Sequence, residues 1–180
     1  MDIRTASMVD VFNEFLKGID CLNAAKLRQP VLVLIYSTID AAGFLDRPEG
    51  TPEVKKEHFV SWADTYLVSS SDLGCTALEL YGARCGMVHS FSAHSGLSKK
   101  GKVRTIGYAY GAASQGDLKS VFQMTGRTDI APVQVESLIA RLRNGLDTWL
   151  RDLDKDEARL KRVLLHSEQH FMQIPLLPGK

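Results

Sequence analysis

An arginine and a histidine near the middle of the chain, Arg84 and His89, are residue types that act together in phosphate chemistry. Arginine stays charged at physiological pH, whereas histidine, with an ordinary pKa of about 6.5, exchanges a proton near neutrality. Four residues separate them. On a helix their side chains would therefore leave the axis roughly 140° apart and about 7.5 Å apart along it. The spacing predicts that they line adjoining walls of one groove rather than stack on each other.

The elements that must position this pair are helices. Apolar residues recur at helical spacing through most of the 180 residues, which predicts an all-α fold: a helical bundle of about five to six helices. The run Val31–Tyr36 is β-branched enough for a buried strand, but Pro30 suits a first helical turn and the pattern continues to Phe44. A buried helix is the favoured interpretation.

The predicted boundaries of the helices rest on capping patterns. Thr51 is expected to cap a third helix, and Asp72 is expected to cap the helix that carries Arg84. In the strongly helical C-terminal third, Asp154 with Glu157 suggests a second start. The motif helix is expected to pack against both the Val31–Phe44 helix and the C-terminal pair.

Two charges stand out because each lies on an otherwise apolar stripe. Asp40 falls within the apolar helix that begins near Val31, and Arg84 takes a position where the motif helix should be apolar. A buried charge needs a partner. The sequence therefore predicts that Asp40 pairs with Arg84.

A polar and basic stretch follows the motif. The segment Ser90–Ser98, which contains His94, is rich in small polar residues, and Val103–Tyr110 has the character of a short strand. We expect a small non-helical or hairpin insert after the motif helix. Four cations fall within six residues and are candidates for holding RNA phosphates, or else form a solvated loop: Lys99, Lys100, Lys102 and Arg104.

The Arg-x4-His spacing late in a helix of an all-helical domain resembles the HEPN superfamily (higher eukaryotes and prokaryotes nucleotide-binding). The resemblance covers Arg84 to His89. It implies a single HEPN-like domain over residues 1–180 and a metal-independent endoribonuclease that acts as a homodimer. The sequence departs from the family pattern at the position after the arginine. That position is usually polar in active members, and here it is Cys85.

The functional expectation is RNA cleavage by 2′-OH attack, with catalytic Arg84 and His89 in a composite dimer site and supporting roles for Asp40, Cys85 and His94. A toxin or defence ribonuclease would fit, as would an antitoxin-like protein partner. The alternative is a non-catalytic helical module that binds nucleotide, RNA or a protein and keeps Arg84 and His89 for structure. Cys85 favours the alternative, and the basic run favours the enzyme.

Composition and local sequence patterns argue against several other classes of protein. The net charge of +1 is too small for a general nucleic-acid coat protein. The first residues lack the pattern of a signal peptide, the longest apolar run is too short to cross a bilayer, and three cysteines match no disulfide or zinc pattern. A cytoplasmic protein without a membrane association is expected.

No cofactor or metal is expected either. His166 and His170 stand at i and i+4, which permits shared metal ligation, but Ser167 occupies the position that the zinc-binding His-Glu-x-x-His motif gives to glutamate. Surface or interface histidines are the favoured interpretation. Cys85 and His89 are also i and i+4, but a thiol in mid-helix would be hard for a substrate to reach.

Overall fold

A computed structural model describes residues 3–51, 53, 55–69 and 72–170. Helices dominate this part of the chain, and two short strands form a small sheet. In chain order the elements are α1 (Ile3–Ala24), α2 (Arg28–Leu45), α3 (Lys56–Ala63), a π-helical segment (Asp64–Val68), α4 (Ala77–Ser90), α5 (Gly96–Lys99), β1 (Thr105–Ala109), α6 (Gln115–Met124), β2 (Ile130–Gln134), α7 (Val135–Asp154) and α8 (Glu157–His170). The fold is a helical bundle with a small insert, as predicted.

The apolar run Val31–Tyr36, which could have been a strand or a helix, lies in helix α2. This helix spans Arg28–Leu45 and places Pro30 in its first turn, where the missing N–H costs no hydrogen bond. Val31, Ile35 and Ile39 are fully buried on it. A helix that is apolar on most of its faces must lie inside the bundle, and α2 does.

The core is centred on aromatic side chains from separate helices. Trp149 on α7 is fully buried and meets Phe12 of α1 edge-on, with ring centroids 5.6 Å apart. It also meets Trp62 of α3 at 6.2 Å. Such edge-to-face contacts add specificity to apolar burial. They join α1, α3 and α7 around α2.

The insert is not a hairpin. Strands β1 and β2 pair in parallel, with Thr105 opposite Ile130 and Ala109 opposite Gln134. Parallel strands need a crossover of a dozen or more residues, and helix α6 supplies it. Its start is fixed by a capping box in which Ser114 and Asp117 each accept a backbone N–H. A stable helix between the strands excludes the tight turn that a hairpin requires.

Three helix starts differ from the predicted caps. The motif helix α4 begins after Thr76 rather than at Asp72, and α3 begins after Lys55 rather than at Thr51. The last helix begins at Glu157, where Asp156 accepts the backbone N–H of Arg159. For α4 and α8 the side-chain acceptors Thr76 and Asp156 stand nearer the first helical turn than the predicted caps do, whereas the side chain of Lys55 accepts no capping hydrogen bond in α3.

The neighbours of α4 also differ in part from the prediction. It packs against α2, as expected, and against α3, β1 and α5. The C-terminal pair instead packs chiefly on α1, α2 and the π-helical segment. The parallel strands and α5 take the side of α4 that the prediction gave to that pair. Helix α2 thus lies between the motif and the C-terminal helices, and it carries Asp40 to the motif.

Candidate functional site

Arg84 reaches across from α4 to α2 and binds Asp40, as the sequence predicts. The Nε of Arg84 donates to Oδ2 of Asp40 at 2.9 Å, and Nη2 donates to the same oxygen. The side chains are 17% and 21% exposed, so this ion pair is largely withdrawn from solvent. A partly buried, doubly hydrogen-bonded pair holds the guanidinium in one orientation.

The third guanidinium nitrogen of Arg84 contacts His89. Its Nη1 lies 2.8 Å from Nε2 of the imidazole. The predicted spacing placed the two side chains on adjoining walls of one groove; this hydrogen bond forms because the long arginine side chain spans the angle between the two positions. Arginine has only donors, so Nε2 must accept. In this arrangement His89 is neutral and carries its ring proton on Nδ1.

The three side chains are hydrogen-bonded in series, and we call them the Asp40–Arg84–His89 line: the carboxylate and the guanidinium are both largely buried, and the imidazole is exposed. Burial acts to lower the pKa of Arg84, but the hydrogen bonds and charge of Asp40 outweigh it and raise that pKa above its usual value. Arg84 is therefore a permanent cation. His89 lies in the last turn of α4 and is exposed. The proton-exchanging end of the line is the end that solvent and a substrate can reach.

Cys85 and Tyr81 flank Arg84 on α4. Burial, with a further contribution from the neighbouring Cys85 thiol, raises the pKa of Tyr81. Its phenol therefore stays neutral, and its ring packs edge-on against Phe59, 5.5 Å between centroids. Cys85 is half-buried and is not in a disulfide. These two side chains form the less polar surroundings of the arginine.

The segment after α4 turns back onto the helix. Phe91 adopts a left-handed conformation with φ 48° and reverses the chain. The returning backbone passes so close to Gly86 that a Cβ there would collide with the carbonyl oxygen of Ser92. This close approach brings His94 alongside α4, where its Nδ1 lies 3.3 Å from Oγ1 of Thr105. The hydrogen bond of His94 therefore runs toward β1.

The basic run divides into two kinds of residue. Lys99, Lys100 and Lys102 are exposed at the end of α5 and in the loop after it. Arg104 is engaged: its Nε donates to Oε1 of Glu79 at 2.6 Å. Arg104 is itself 41% exposed, so what distinguishes it from the three lysines is its ion pair with Glu79 and not its burial.

Glu79 is a site residue that the sequence argument missed. Its side chain is only 6% exposed; it accepts from Arg104 and from the backbone N–H of Thr76. Burial acts to raise the pKa of Glu79, but the hydrogen bonds from Arg104 and Thr76 prevail and lower it. The pattern Thr76-x-x-Glu79 before an apolar run is a capping-box signature that could have revealed it.

A cavity of about 530 Å³ lies beside Arg104, between α6 and the strands. Lys119, Arg127 and Gln115 line it, together with the ring of Phe122. Arg127 is paired with Asp129 at 2.8 Å. Asp72 also lines the cavity, so its wall carries charges of both signs.

His166, one of the two C-terminal histidines, is not a surface residue. His166 is buried, and its Nδ1 lies 2.8 Å from the carbonyl oxygen of Leu45 at the end of α2. The side chain of His170 lies outside the described residues. His166 therefore links α8 to α2, contrary to the favoured interpretation of a surface or interface position.

Comparison with known proteins found no match: the chain matches no family model, no curated protein and no solved structure. Among the helices of the described residues, none is both long and apolar enough to span a membrane. The functional argument therefore depends on the site itself.

Proposed function

We propose that the protein is a HEPN-like, metal-independent endoribonuclease whose reaction is carried by Arg84 and His89. The observation that supports this most directly is the line Asp40–Arg84–His89. A guanidinium fixed by a partly buried carboxylate contacts an exposed imidazole at 2.8 Å. These are the two groups that RNA transesterification needs: a cation for the phosphoryl oxygens and a proton carrier for the ribose hydroxyl.

In the proposed reaction the ribose 2′ oxygen forms a bond to the phosphorus of its own 3′-phosphodiester, and the bond from phosphorus to the 5′ oxygen breaks. Nε2 of a neutral His89 takes the 2′-hydroxyl proton. The leaving 5′ oxygen takes a proton from a protonated His89. The products are a 2′,3′-cyclic phosphate and a 5′-hydroxyl, so no water is consumed and no metal is required.

Arg84 acts both on the phosphate and on the availability of His89. Without RNA its Nη1 occupies Nε2 of His89. A phosphate oxygen that takes over this hydrogen bond frees Nε2 for the ribose hydroxyl. Asp40 holds Nε and Nη2 meanwhile, so the guanidinium keeps its orientation. Asp40 is therefore a positioning residue.

One chain supplies one histidine of the Arg84–His89 pair, whereas the reaction needs one proton acceptor and one proton donor. Two chains related by a two-fold axis would supply both, and this symmetry is the commonest among soluble oligomers. The exposed position of His89 permits such a composite cleft. Lys99, Lys100 and Lys102 are exposed on the segment that follows the motif helix and would hold flanking phosphates.

Cys85 favours a second candidate, a non-catalytic module that binds nucleotide, RNA or an antitoxin-like protein. It is half-buried beside Tyr81, at a position that is usually polar in active HEPN proteins. In that case the Asp40–Arg84–His89 line stabilises the contact between α2 and α4. Binding of RNA without cleavage would favour this candidate.

The test is incubation of purified protein with mixed RNA in excess EDTA, with mass spectrometry of the new termini. We expect cyclic phosphate and 5′-hydroxyl ends, and a loss of about 100-fold or more in Arg84→Ala and His89→Ala. Arg143→Ala is the matched control, since Arg143 also pairs with a carboxylate on another helix, Asp20 at 3.0 Å, but far more exposed. Equal activity in all three variants would reject the assignment.

The composite site has its own test. Mixing inactive His89→Ala chains with wild type under conditions of subunit exchange should depress cleavage below simple dilution. A protein that remains monomeric by light scattering and still cleaves RNA would reject the shared cleft while leaving the role of His89 intact.

A further inference from the structure

A second arginine, Arg47, is buried without a carboxylate. It follows the C-terminal end of α2 and is only 5% exposed. Its Nε and Nη1 donate to the carbonyl oxygens of Thr51 and Phe44, each at 2.8 Å, and its guanidinium stacks on the Phe44 ring at 3.7 Å. Among the described residues no carboxylate pairs with it, and burial lowers its pKa. A buried cation without a counter-charge is costly unless an anion joins it.

Arg47 lines a cavity of about 510 Å³. The cavity lies where the end of α2, helix α3 with the π-helical segment, and the start of α8 meet. Its volume falls in the range usual for small-molecule sites, roughly 300–1,000 Å³. Other lining residues that bear on its chemistry are His58, Ser61, Tyr66 and Arg159.

The carboxylates that line this cavity are paired with cations other than Arg47. Asp46 is shared by Arg159, with Nε at 2.8 Å, and by Arg162, which lies outside the lining, with Nη2 at 3.9 Å. Glu57 also lines the cavity, is exposed and pairs with Lys56. Among the described residues, neither carboxylate of the lining forms an ion pair with Arg47.

Neutral donors accompany these cations. The Tyr66 hydroxyl accepts from Nη2 of Arg159 at 2.9 Å, which leaves its own proton for another acceptor. Burial raises the pKa of Tyr66, so this proton is retained. Nδ1 of His58 accepts the backbone N–H of Lys55 at 3.3 Å, so the neutral ring carries its proton on Nε2. In the same wall Trp62 is buried, and its Nε1 has no partner among the described residues.

From the unpaired Arg47 and the donors that line this cavity, we propose that it binds a small phosphate-class anion, either inorganic phosphate or a phosphate monoester. Arg47 supplies the charge, and Tyr66 and His58 supply neutral hydrogen bonds. Guanidinium groups bind phosphate oxygens strongly because donor and acceptor are both charged. The site is separate from the Asp40–Arg84–His89 line and does not depend on its activity.

His58 provides a direct readout. Burial and then the charge of Arg47 lower its pKa, with Glu57 acting in the opposite direction and Lys55 in the same direction as Arg47. An anion beside Arg47 offsets that charge, so the pKa of His58 should rise on binding. The ring resonances of His58 can be followed by NMR at constant ionic strength while phosphate replaces chloride.

We expect a saturable shift of the His58 resonances with inorganic phosphate or with adenosine monophosphate. Ser61→Asp places a negative charge on an exposed position of the cavity wall and should weaken binding about tenfold or more. Ser120→Asp, an equally exposed helical serine outside this cavity, is the matched control and should bind as wild type. Arg84→Ala should also bind as wild type.

Three results would overturn the proposal: shifts that chloride reproduces, equal affinity in Ser61→Asp and wild type, or a response to oligoribonucleotide alone. Tighter binding of adenosine monophosphate than of phosphate would identify a monoester as the ligand, and equal binding would identify the free anion. Ser61 is exposed, so its variant tests the site without disturbing the core.

Discussion

The two ends of helix α4 each hold an arginine–carboxylate pair, but the pairs are used differently. At the N-terminal end Glu79 is 6% exposed and divides its oxygens between Arg104 and the backbone of Thr76. At the C-terminal end both members of the pair are partly exposed, and Arg84 keeps one nitrogen for His89. The carboxylate of Glu79 uses both oxygens for hydrogen bonds within the fold, so we expect this pair to stabilise the fold. A pair that leaves a donor beside an exposed imidazole is equipped for chemistry.

Removing Glu79 should cause the largest loss of stability. Glu79→Ala deletes a capping-box partner and leaves Arg104 without its counter-charge, for an expected cost of about 3–4 kcal/mol. Urea denaturation at neutral pH measures it. A smaller loss of stability in Glu79→Ala than in Asp40→Ala would show that the Glu79–Arg104 pair contributes less to stability than the Asp40–Arg84 pair.

Asp40→Ala should cost less, about 2–3 kcal/mol, because Asp40 is more exposed than Glu79 and does not cap a helix. Its effect on RNA cleavage should nevertheless exceed that of Glu79→Ala, compared at a temperature where both variants are folded. Asp20→Ala is the control, since its partner Arg143 is 44% exposed, and it should cost under about 1 kcal/mol. Equal losses of stability in Asp20→Ala and Asp40→Ala would mean that the Asp40–Arg84 pair contributes no more to stability than an exposed ion pair does.

Gly86→Ala tests whether the segment after α4 is rigidly seated at the C-terminal end. The new Cβ would meet the carbonyl oxygen of Ser92, a backbone atom that cannot move alone. We expect a loss of about 2 kcal/mol. In Gly116→Ala the nearest atom outside the backbone is Ser114 Oγ at 3.6 Å, so that substitution in α6 should be neutral or slightly stabilising. Indistinguishable melting temperatures would mean that the segment shifts freely.

The smallest expected effect is the pH dependence of the stability that Glu79 contributes at the N-terminal end of α4. The pKa of Glu79 is lower in the folded protein than in the unfolded chain, where it is about 4.3. Its contribution is therefore present above about pH 4.3 and is lost as the pH falls through the folded value. Wild type should lose more stability than Glu79→Gln between neutral pH and about pH 3. A constant gap between the two curves would contradict the lowered pKa.

The parts of the fold that sequence could predict are those with local signals. The apolar run of α2 has a helical period and a proline at a tolerated position. The ion pair between Asp40 and Arg84 could be predicted because each is a charge on an apolar stripe and therefore needs an opposite charge nearby. The hydrogen bond between Arg84 and His89 was not predicted because helical geometry fixes where side chains leave the axis, not where a long one ends.

The parts that sequence could not predict depend on distant pairing. Nothing near Arg104 distinguishes a cation that holds Glu79 from one that faces solvent, since its neighbours Lys100 and Lys102 belong to the same charged run. Arg47 appears within a polar loop, and its sequence neighbours do not reveal that its side chain is only 5% exposed. The parallel pairing of β1 with β2 likewise leaves no mark on either strand alone.

The parallel register of β1 and β2 has a consequence for how the chain folds. Thr105 meets Ile130 only after the intervening segment has closed as a loop, whereas neighbouring turns of α2 and α4 contact each other locally. Contacts between distant parts of a chain form slowly because loop closure must precede them. In pulse-labelled hydrogen exchange during refolding, we expect the amides of α2 and α4 to become protected before those of β1. The helices that carry Asp40 and Arg84 would then form before the strands pair.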